Sequence, residues 1–191
     1  MHIQKVISSI SFQKHFSGNA NIINDGKIEE CNIYELNFEE DKDYFVKLKE
    51  NKDWKKAVYL DELAEDWPLD FFYEKTYVLE NKKEDCLGFV NVDYSESDRI
   101  EISLLETCPK LTHKKKSRKI KHVGQELINF VIKLAQEREL DCVTVPIVRV
   151  GAEDFYKKCG FQISGFVGED AILEADDFDY VLAKNTESVN Q

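Results

Sequence analysis

A single α/β domain is the fold class that the sequence predicts, and three observations predict it. The apolar period changes repeatedly along the chain, from alternate residues to every third or fourth, so strands and helices are interleaved rather than segregated. No internal repeat and no Pro/Gly/Ser-rich linker divides the 191 residues, a length that suits one domain with one large core. The chain is 42% hydrophobic and 12% aromatic, enough apolar surface to exclude a disordered polypeptide.

Taken in order, residues 1–30 supply turn residues in SGNANIINDGKIEE and little core. They are expected to form an N-terminal extension ahead of a domain spanning 31–185, with 186–191 as a disordered tail. CNIYELNF (31–38), with apolar positions at Ile33, Tyr34 and Leu36, predicts the first strand. Asp41 is placed to cap a short helix carrying Tyr44, Phe45 and Leu48. Asp53 is placed to cap a second carrying Trp54, Ala57, Val58 and Leu60, which Pro68 stops. KTYVLEN and DCLGFVNVDY, joined through the polar NKKED, predict a hairpin, and DRIEISLLE predicts a further strand after SESD. From Val123 the residues Leu127, Ile128, Val131, Ile132 and Ala135 line one face of a helix ending near Leu140. CVTVPIV is a β-branched run suited to a buried strand. Ala152, Phe155, Tyr156 and Cys159 fall on one face of another short helix, with Gly160 placed to end it in the left-handed conformation. FQISGF and DYVLAK are expected to close the chain as strands.

Composition excludes several classes. No uninterrupted apolar run approaches the ~20 residues of a membrane span, and the mean hydropathy is −0.46. The N-terminal MHIQKVISSISFQKHF is broken by polar residues every few positions and lacks the apolar core of a signal peptide. Five scattered cysteines with no CxxC pair read as reduced thiols of a cytoplasmic protein, not a disulfide frame or a zinc site. No metal is expected.

Against 37 acidic residues, 26 basic ones and a net charge of −11, the segment 114–121 gathers six Lys/Arg and no acid. It ends in Gly124 at the start of the helix that follows. A basic loop running into a helix N-terminus suits an anion, because the first backbone N–H groups lack internal partners and the helix dipole favours negative charge there. An approaching phosphate would meet Arg118, Lys119 and Lys121 and then the amides near His122. Nucleic acid is a poorer match. One basic loop on a chain of pI about 4.9 is a small footprint opposed by the global field, and no nucleic-acid motif accompanies it.

KIKHVG (119–124) and RVGAEDFYKKCGF (149–161) together resemble the GNAT superfamily of acetyltransferases. Its signatures are Q/R-x-x-G-x-G/A opening a helix and N-x-x-A-x-x-x-Y-x-x-x-GF further on. Ala152, Tyr156, Gly160 and Phe161 stand on the second pattern, with Arg149 where Asn is common. On the first, Lys119 replaces Gln/Arg, His122 replaces the first Gly, and Gly124 is retained. EISLLETCP (101–109) is similar to the IELLE-x-x-P run of some members.

The resemblance implies a mixed, twisted central sheet flanked by helices, with acetyl-CoA as co-substrate in a splay between the fourth and fifth strands. It implies Leu104 and Leu105 beside the pantetheine, and backbone amides of Ile120, Lys121, His122, Val123, Gly124 and Gln125 on the pyrophosphate, with Arg118, Lys119 and Arg149 also toward the cofactor. It further implies acetyl transfer to a primary amine, and many relatives pair as homodimers. The alternative is a catalytically silent acyl-CoA-binding module with the same fold, which His122 in place of glycine would mark.

Amine acetylation needs a proton acceptor, since holding an alkyl amine neutral at pH 7 costs roughly 4–5 kcal/mol. Glu101 and Glu106 on RIEISLLE are the candidate bases. Their spacing of five puts them on opposite faces of an ideal strand, so both can face the acceptor only across a bulge. Tyr156 is the candidate proton donor to the departing thiolate, a role the resemblance assigns. The acid-rich segments 61–74 and 168–179, each with six acids and no base, suggest an anionic mouth for a cationic amine such as a polyamine, an aminosugar or a lysine side chain.

Overall fold

The computed structural model describes residues 14–37, 41, 43–57, 74–112, 120–146, 151–163 and 170–189. They contain the strands β1 (His15–Asn24), β2 (Lys27–Leu36), β3 (Glu74–Glu80), β4 (Cys86–Asp93), β5 (Arg99–Thr107), β6 (Ile120–Lys121), β7 (Cys142–Val145), β8 (Gln162–Ile163) and β9 (Ala171–Glu174). The helices are α1 (Asp43–Glu50), α2 (Pro109–Thr112), α3 (Val123–Glu137), α4 (Glu153–Lys158) and α5 (Phe178–Val189). All strands join one sheet in the order β6-β1-β2-β3-β4-β5-β7-β9-β8. Only β5 and β7 pair in parallel, because α3 carries the chain back between them as a crossover.

The sheet is covered on both faces. On one face α3 buries Val123, Leu127, Ile128, Val131, Ile132 and Ala135 against inward residues such as Leu79, Val90, Val92, Ile100 and Ile102. On the other, Tyr44, Phe45 and Leu48 of α1 and the buried Trp54 pack on Leu36, Val78 and Phe89. Phe89 is the hub of that layer, meeting Phe45 edge-on at 5.3 Å and Trp54 stacked at 5.7 Å. Such aromatic pairs contribute about 0.5–1.5 kcal/mol each beyond the area they bury. The Trp54 indole N–H donates to the Cys86 carbonyl at 3.3 Å.

The ends of the chain differ from expectation. Residues 1–13 of the expected extension lie outside the described residues, and from His15 the chain builds β1 and the start of β2, a hairpin closed by Asp25-Gly26 with φ of 50° and 77°. Asp-Gly with positive φ at both positions matches the twist of a hairpin. The strand expected at 31–38 is therefore the second half of β2, and its residue 38 lies outside the described residues. DYVLAK is not a strand but part of α5, and the tail expected at 186–191 is helical to Val189, which is buried. Phe178, Val181, Asn185 and Val189 are the buried positions of that helix, a helical spacing. The last strand is instead β9, inside the acid-rich 168–179 segment. Asp41 accepts the Asn37 amide at 2.9 Å before α1. The helix expected after Asp53 is a run of turns through Lys56, with Val58 and Leu60 outside the described residues.

Gly160 ends α4 as expected, at φ +98°, and a Cβ there would lie 2.4 Å from Val181 Cγ2 on α5. Gly160→Ala combines that clash with backbone strain, so it is expected to cost about 2 kcal/mol or more. By thermal denaturation this is a fall in Tm of roughly 4–8 °C for a chain of this length.

Candidate active site

The site is built around the parting of β5 from β7. Their ladder covers only Arg99↔Cys142, Ile100↔Val143 and Glu101↔Thr144. Two local features end it. Pro146 follows β7 and has no N–H to donate. In β5 the pairing with β4 jumps from Val92↔Ile102 to Asn91↔Leu104, so Ser103 is an extra residue, a β-bulge. Beyond it, Leu104–Thr107 continue along β4 with no ladder partner on the β7 side among the described residues.

The bulge settles where the two candidate carboxylates point. Glu101 pairs with Asp93 and Glu106 with Phe89, and those partners lie four residues apart on an unbroken stretch of β4. Glu101 and Glu106 therefore share one face, the face of α1. Leu104 and Leu105 do not share a face: Leu104 packs with the Phe89 layer and Leu105 with the α3 layer.

Three elements converge at the open end of the splay. A Cβ on Gly124 would lie 3.1 Å from the Phe155 ring of α4 and 3.5 Å from Thr107 Cγ2 of β5, so α3 starts against both. His122 precedes α3 with φ 70° and ψ 4°, the left-handed conformation that glycine adopts without strain and that His tolerates better than most residues. Its Nδ1 lies 3.0 Å from Gln125 Oε1, while Gln125 Nε2 donates to the Asn185 carbonyl at 3.3 Å and Ser188 Oγ at 2.9 Å. A carbonyl only accepts, which fixes the amide orientation. His122 therefore donates from Nδ1 and leaves Nε2 for another partner. The first intrahelical bond runs from the Glu126 amide to the His122 carbonyl at 2.8 Å, and no intrahelical carbonyl reaches the amides of Val123, Gly124 and Gln125.

Ile120 and Lys121 are not loop residues. They form β6, paired with Asn24 and Ile23 at the end of β1. An antiparallel ladder turns the amide of only one residue in two outward, so both cannot serve an anion as expected. Arg118, Lys119 and Arg149 lie outside the described residues. Tyr156 stands half-buried on α4, its ring edge-on to Phe155 at 5.2 Å and to Phe161 at 5.6 Å.

The register also assembles what the sequence reading did not foresee. Glu74 pairs with Asp93, and Asp93 with Glu101, so three half-buried acids form a row across β3, β4 and β5. Cross-strand register between distant segments leaves no local signal. Burial, and then Asp170 and Asp93, raise the Glu101 carboxyl. Of the expected anionic mouth, Asp170 is the acid of the second segment that bears on this row among the described residues. Asp179 accepts from Gln136 at the far end of α3, and Ala175 donates to the Asp141 carbonyl, because β9 runs antiparallel to β7 and carries the chain away from the splay. The first segment, apart from Glu74, lies outside the described residues.

No family model matches the sequence, and no curated protein matches it. Solved structures do match. A GNAT-family acetyltransferase of Staphylococcus aureus is 13% identical, with a TM-score of 0.52 over 76% of this chain and 99% of its own. Mutant forms of the spermidine/spermine N-acetyltransferase of Vibrio cholerae are 16% identical, with a TM-score of 0.52 over 78% of this chain and 96% of theirs. A dodecameric spermidine N-acetyltransferase from the same organism is 17% identical at a TM-score of 0.52, over 78% of this chain and 95% of its own. The chain has the GNAT fold.

Glu74 supplies a test of the row. Burial first and then Asp93 push its carboxyl up to about 7, against a downward pull from Asn91. The unfolded chain releases this proton near ~4.3, so between those values the folded state holds the extra proton. The contribution of this group to stability is unpenalised below about pH 4 and falls as pH rises to about 7. The full shift would correspond to about 4 kcal/mol, which solvent screening of a half-buried group reduces to about 1 kcal/mol. Glu74→Gln is expected to raise Tm by roughly 2–4 °C at pH 8 and to change it little at pH 4, read by thermal melts at both pH values.

Proposed function

We propose that the protein is an N-acetyltransferase that moves the acetyl group of acetyl-CoA to a primary, cationic amine. The observation that carries this reading is the convergence of the α3 N-terminus, the end of β5 and α4 on the splay, in a chain with the GNAT fold. The local chemistry fits the co-substrate. Gly124 leaves a space that a Cβ would fill, the amides that open α3 suit a pyrophosphate, and Lys121 and the basic residues 114–119 add positive charge. On the same reading Leu104 and Leu105 flank the pantetheine through their backbone, while Arg149 and self-association through the late strands remain part of the proposal.

The residues divide the proton traffic. Glu101 or Glu106 takes the proton of the acceptor ammonium, directly or through water. The freed nitrogen attacks the thioester carbonyl carbon, the C–N bond forms as the C–S bond breaks, Tyr156 protonates the departing thiolate, and the surplus proton on the new amide nitrogen passes through water to restore the Tyr156 phenol. His122 supports cofactor binding, because its backbone keeps the conformation that a glycine would take; release of free coenzyme A in the presence of an amine is what separates this reading from a silent acyl-CoA-binding module.

Calorimetric titration with acetyl-CoA is expected to give micromolar, salt-weakened binding that Gly124→Glu abolishes. Tyr156→Phe is expected to retain that binding and lower kcat for thiol release, with an amine acceptor, by roughly 10²-fold. Absence of acetyl-CoA binding by the wild-type protein would overturn the proposal.

A further inference from the structure

The row across β3, β4 and β5 holds more than charge. Thr144 stands directly across β5–β7 from Glu101, on the same face, and Asn91 stands on that face between Asp93 and Phe89 of β4. Both residues are 1% exposed, and among the described residues Thr144 Oγ1 and Asn91 Oδ1 have no hydrogen-bond partner. A buried oxygen without a donor is costly. Here two such oxygens accompany three carboxylates. Among the described residues neither Glu74 nor Asp93 forms an ion pair: Lys75 pairs with Glu35 on the opposite face, and Arg99 pairs with Asp98. Among the described residues the Ser95 amide, which donates to Asp93 at 2.6 Å, and the Asn91 amide beside Glu74 are the donors to these carboxylates, so acceptors outnumber donors in the row, which suits a cation that brings its own N–H groups.

The arrangement narrows the cation further. Among the described residues no three acidic, His or Cys side chains come together closely enough to hold a metal ion. The acids instead lie one per strand, at the ~4.8 Å spacing of neighbouring strands, in a line that ends at the root of the splay. A compact single charge uses one step of such a line. A linear molecule with charges at intervals uses all of it.

Resting on the acetyl-transfer reading, we infer that Glu74, Asp93 and Glu101, with Thr144 and Asn91, form a receptor for the distal ammonium of a linear alkyl polyamine. Its reacting nitrogen then lies past the bulge, toward Glu106. The inference selects this class over an aminosugar or a protein lysine, which offer no second ammonium at that spacing.

Titration behaviour accords with the geometry. Glu74 faces Asp93 of β4 and Glu101 of β5, with the Asn91 amide pulling its carboxyl down. Glu101 faces Asp93 and Asp170, with Arg99 opposing them. A cation bound beside Glu74 favours its ionised form, so binding releases a proton near neutral pH and tightens as pH rises from 6 to 8.

The probes are the diamine putrescine and its monoamine analogue butylamine, titrated calorimetrically into the whole chain with and without acetyl-CoA. Putrescine is expected to bind roughly tenfold tighter than butylamine, severalfold tighter at pH 8 than at pH 6, with proton release seen as a buffer-dependent heat. In Glu74→Gln and in Asp93→Asn the diamine preference is expected to fall to within about twofold, with melting temperatures at or above that of the wild type. Equal binding of the two amines, no binding of either, or a preference unchanged in both variants would overturn the receptor. A protein that shows the preference yet never binds acetyl-CoA keeps the receptor and loses the acetyl-transfer reading. One that binds acetyl-CoA without the preference loses only the receptor.

Discussion

One extra residue in β5 organises the site. A strand has a side-chain period of two, so five positions separate Glu101 and Glu106 onto opposite faces unless the parity is broken. Ser103 breaks it. Before the bulge Ile100 and Ile102 face α3, and after it Leu105 does, while Leu104 and Glu106 turn to the other face. The same residue gives β5 its bend away from β7, whose own continuation is stopped by Pro146. A bulge leaves one residue out of the ladder. That cost is offset because the shifted register still buries an apolar side chain into each layer, Leu104 beside Phe89 and Leu105 beneath α3.

The second constraint is that α3 serves the core and the site with one set of turns. Its apolar stripe fixes the helix against the sheet, and the polar residues of its first two turns fix where it begins. Glu126 accepts the Asn21 amide of β1 and the Asn129 side chain, both at 3.0 Å. Gln125 reaches Asn185 and Ser188 of α5, and Asn185 donates to Asn129 at 2.7 Å in a buried pair. β6 is pinned to the end of β1 just before His122. A helix N-terminus is useful for anion binding only if its amides are held in place. Here they are held from one side by the N-terminal hairpin and from the other by the C-terminal helix.

Those two flanking elements are the ones that sequence reasoning placed worst. The interior was legible because its strands and α3 carry dense apolar periodicity: VLE, LGFVNV, RIEISLL and the Val123 to Ala135 stripe each announce their type. β1 presents only Ala20 and Ile22 as fully buried residues amid Asn and Ser, too sparse an alternation to read, although Asp25-Gly26 was a hairpin signal in plain view. α5 places the polar Asn185 among its buried positions and carries Val189 as the last of them, so its period is visible only when the last residues are counted as core. The bulge and the Glu74–Asp93–Glu101 row were beyond reach for a different reason. Register depends on how segments far apart in sequence slide against each other, and nothing local to Glu74 marks Asp93 as its neighbour.

On the proposed reading, the register also explains how a chain of net charge −11 would accommodate both an anionic and a cationic substrate. The start of α3, with His122 and Lys121 beside it, belongs to one face of the sheet. The acidic row belongs to the other. The sheet between them is apolar and densely packed, so each field acts mainly on its own side, and the two meet only at the splay where β5 and β7 part. The row moderates itself as well: neighbouring carboxylates that are forced together take up protons. On this reading the raised Glu74 carboxyl carries less charge until a cation arrives, which limits the repulsion felt by an anion entering on the opposite face. On the proposed reading the order of charges across the sheet, acid row, bulge, then helix amides, is the order in which an amine, a carbonyl and a phosphate chain would have to lie.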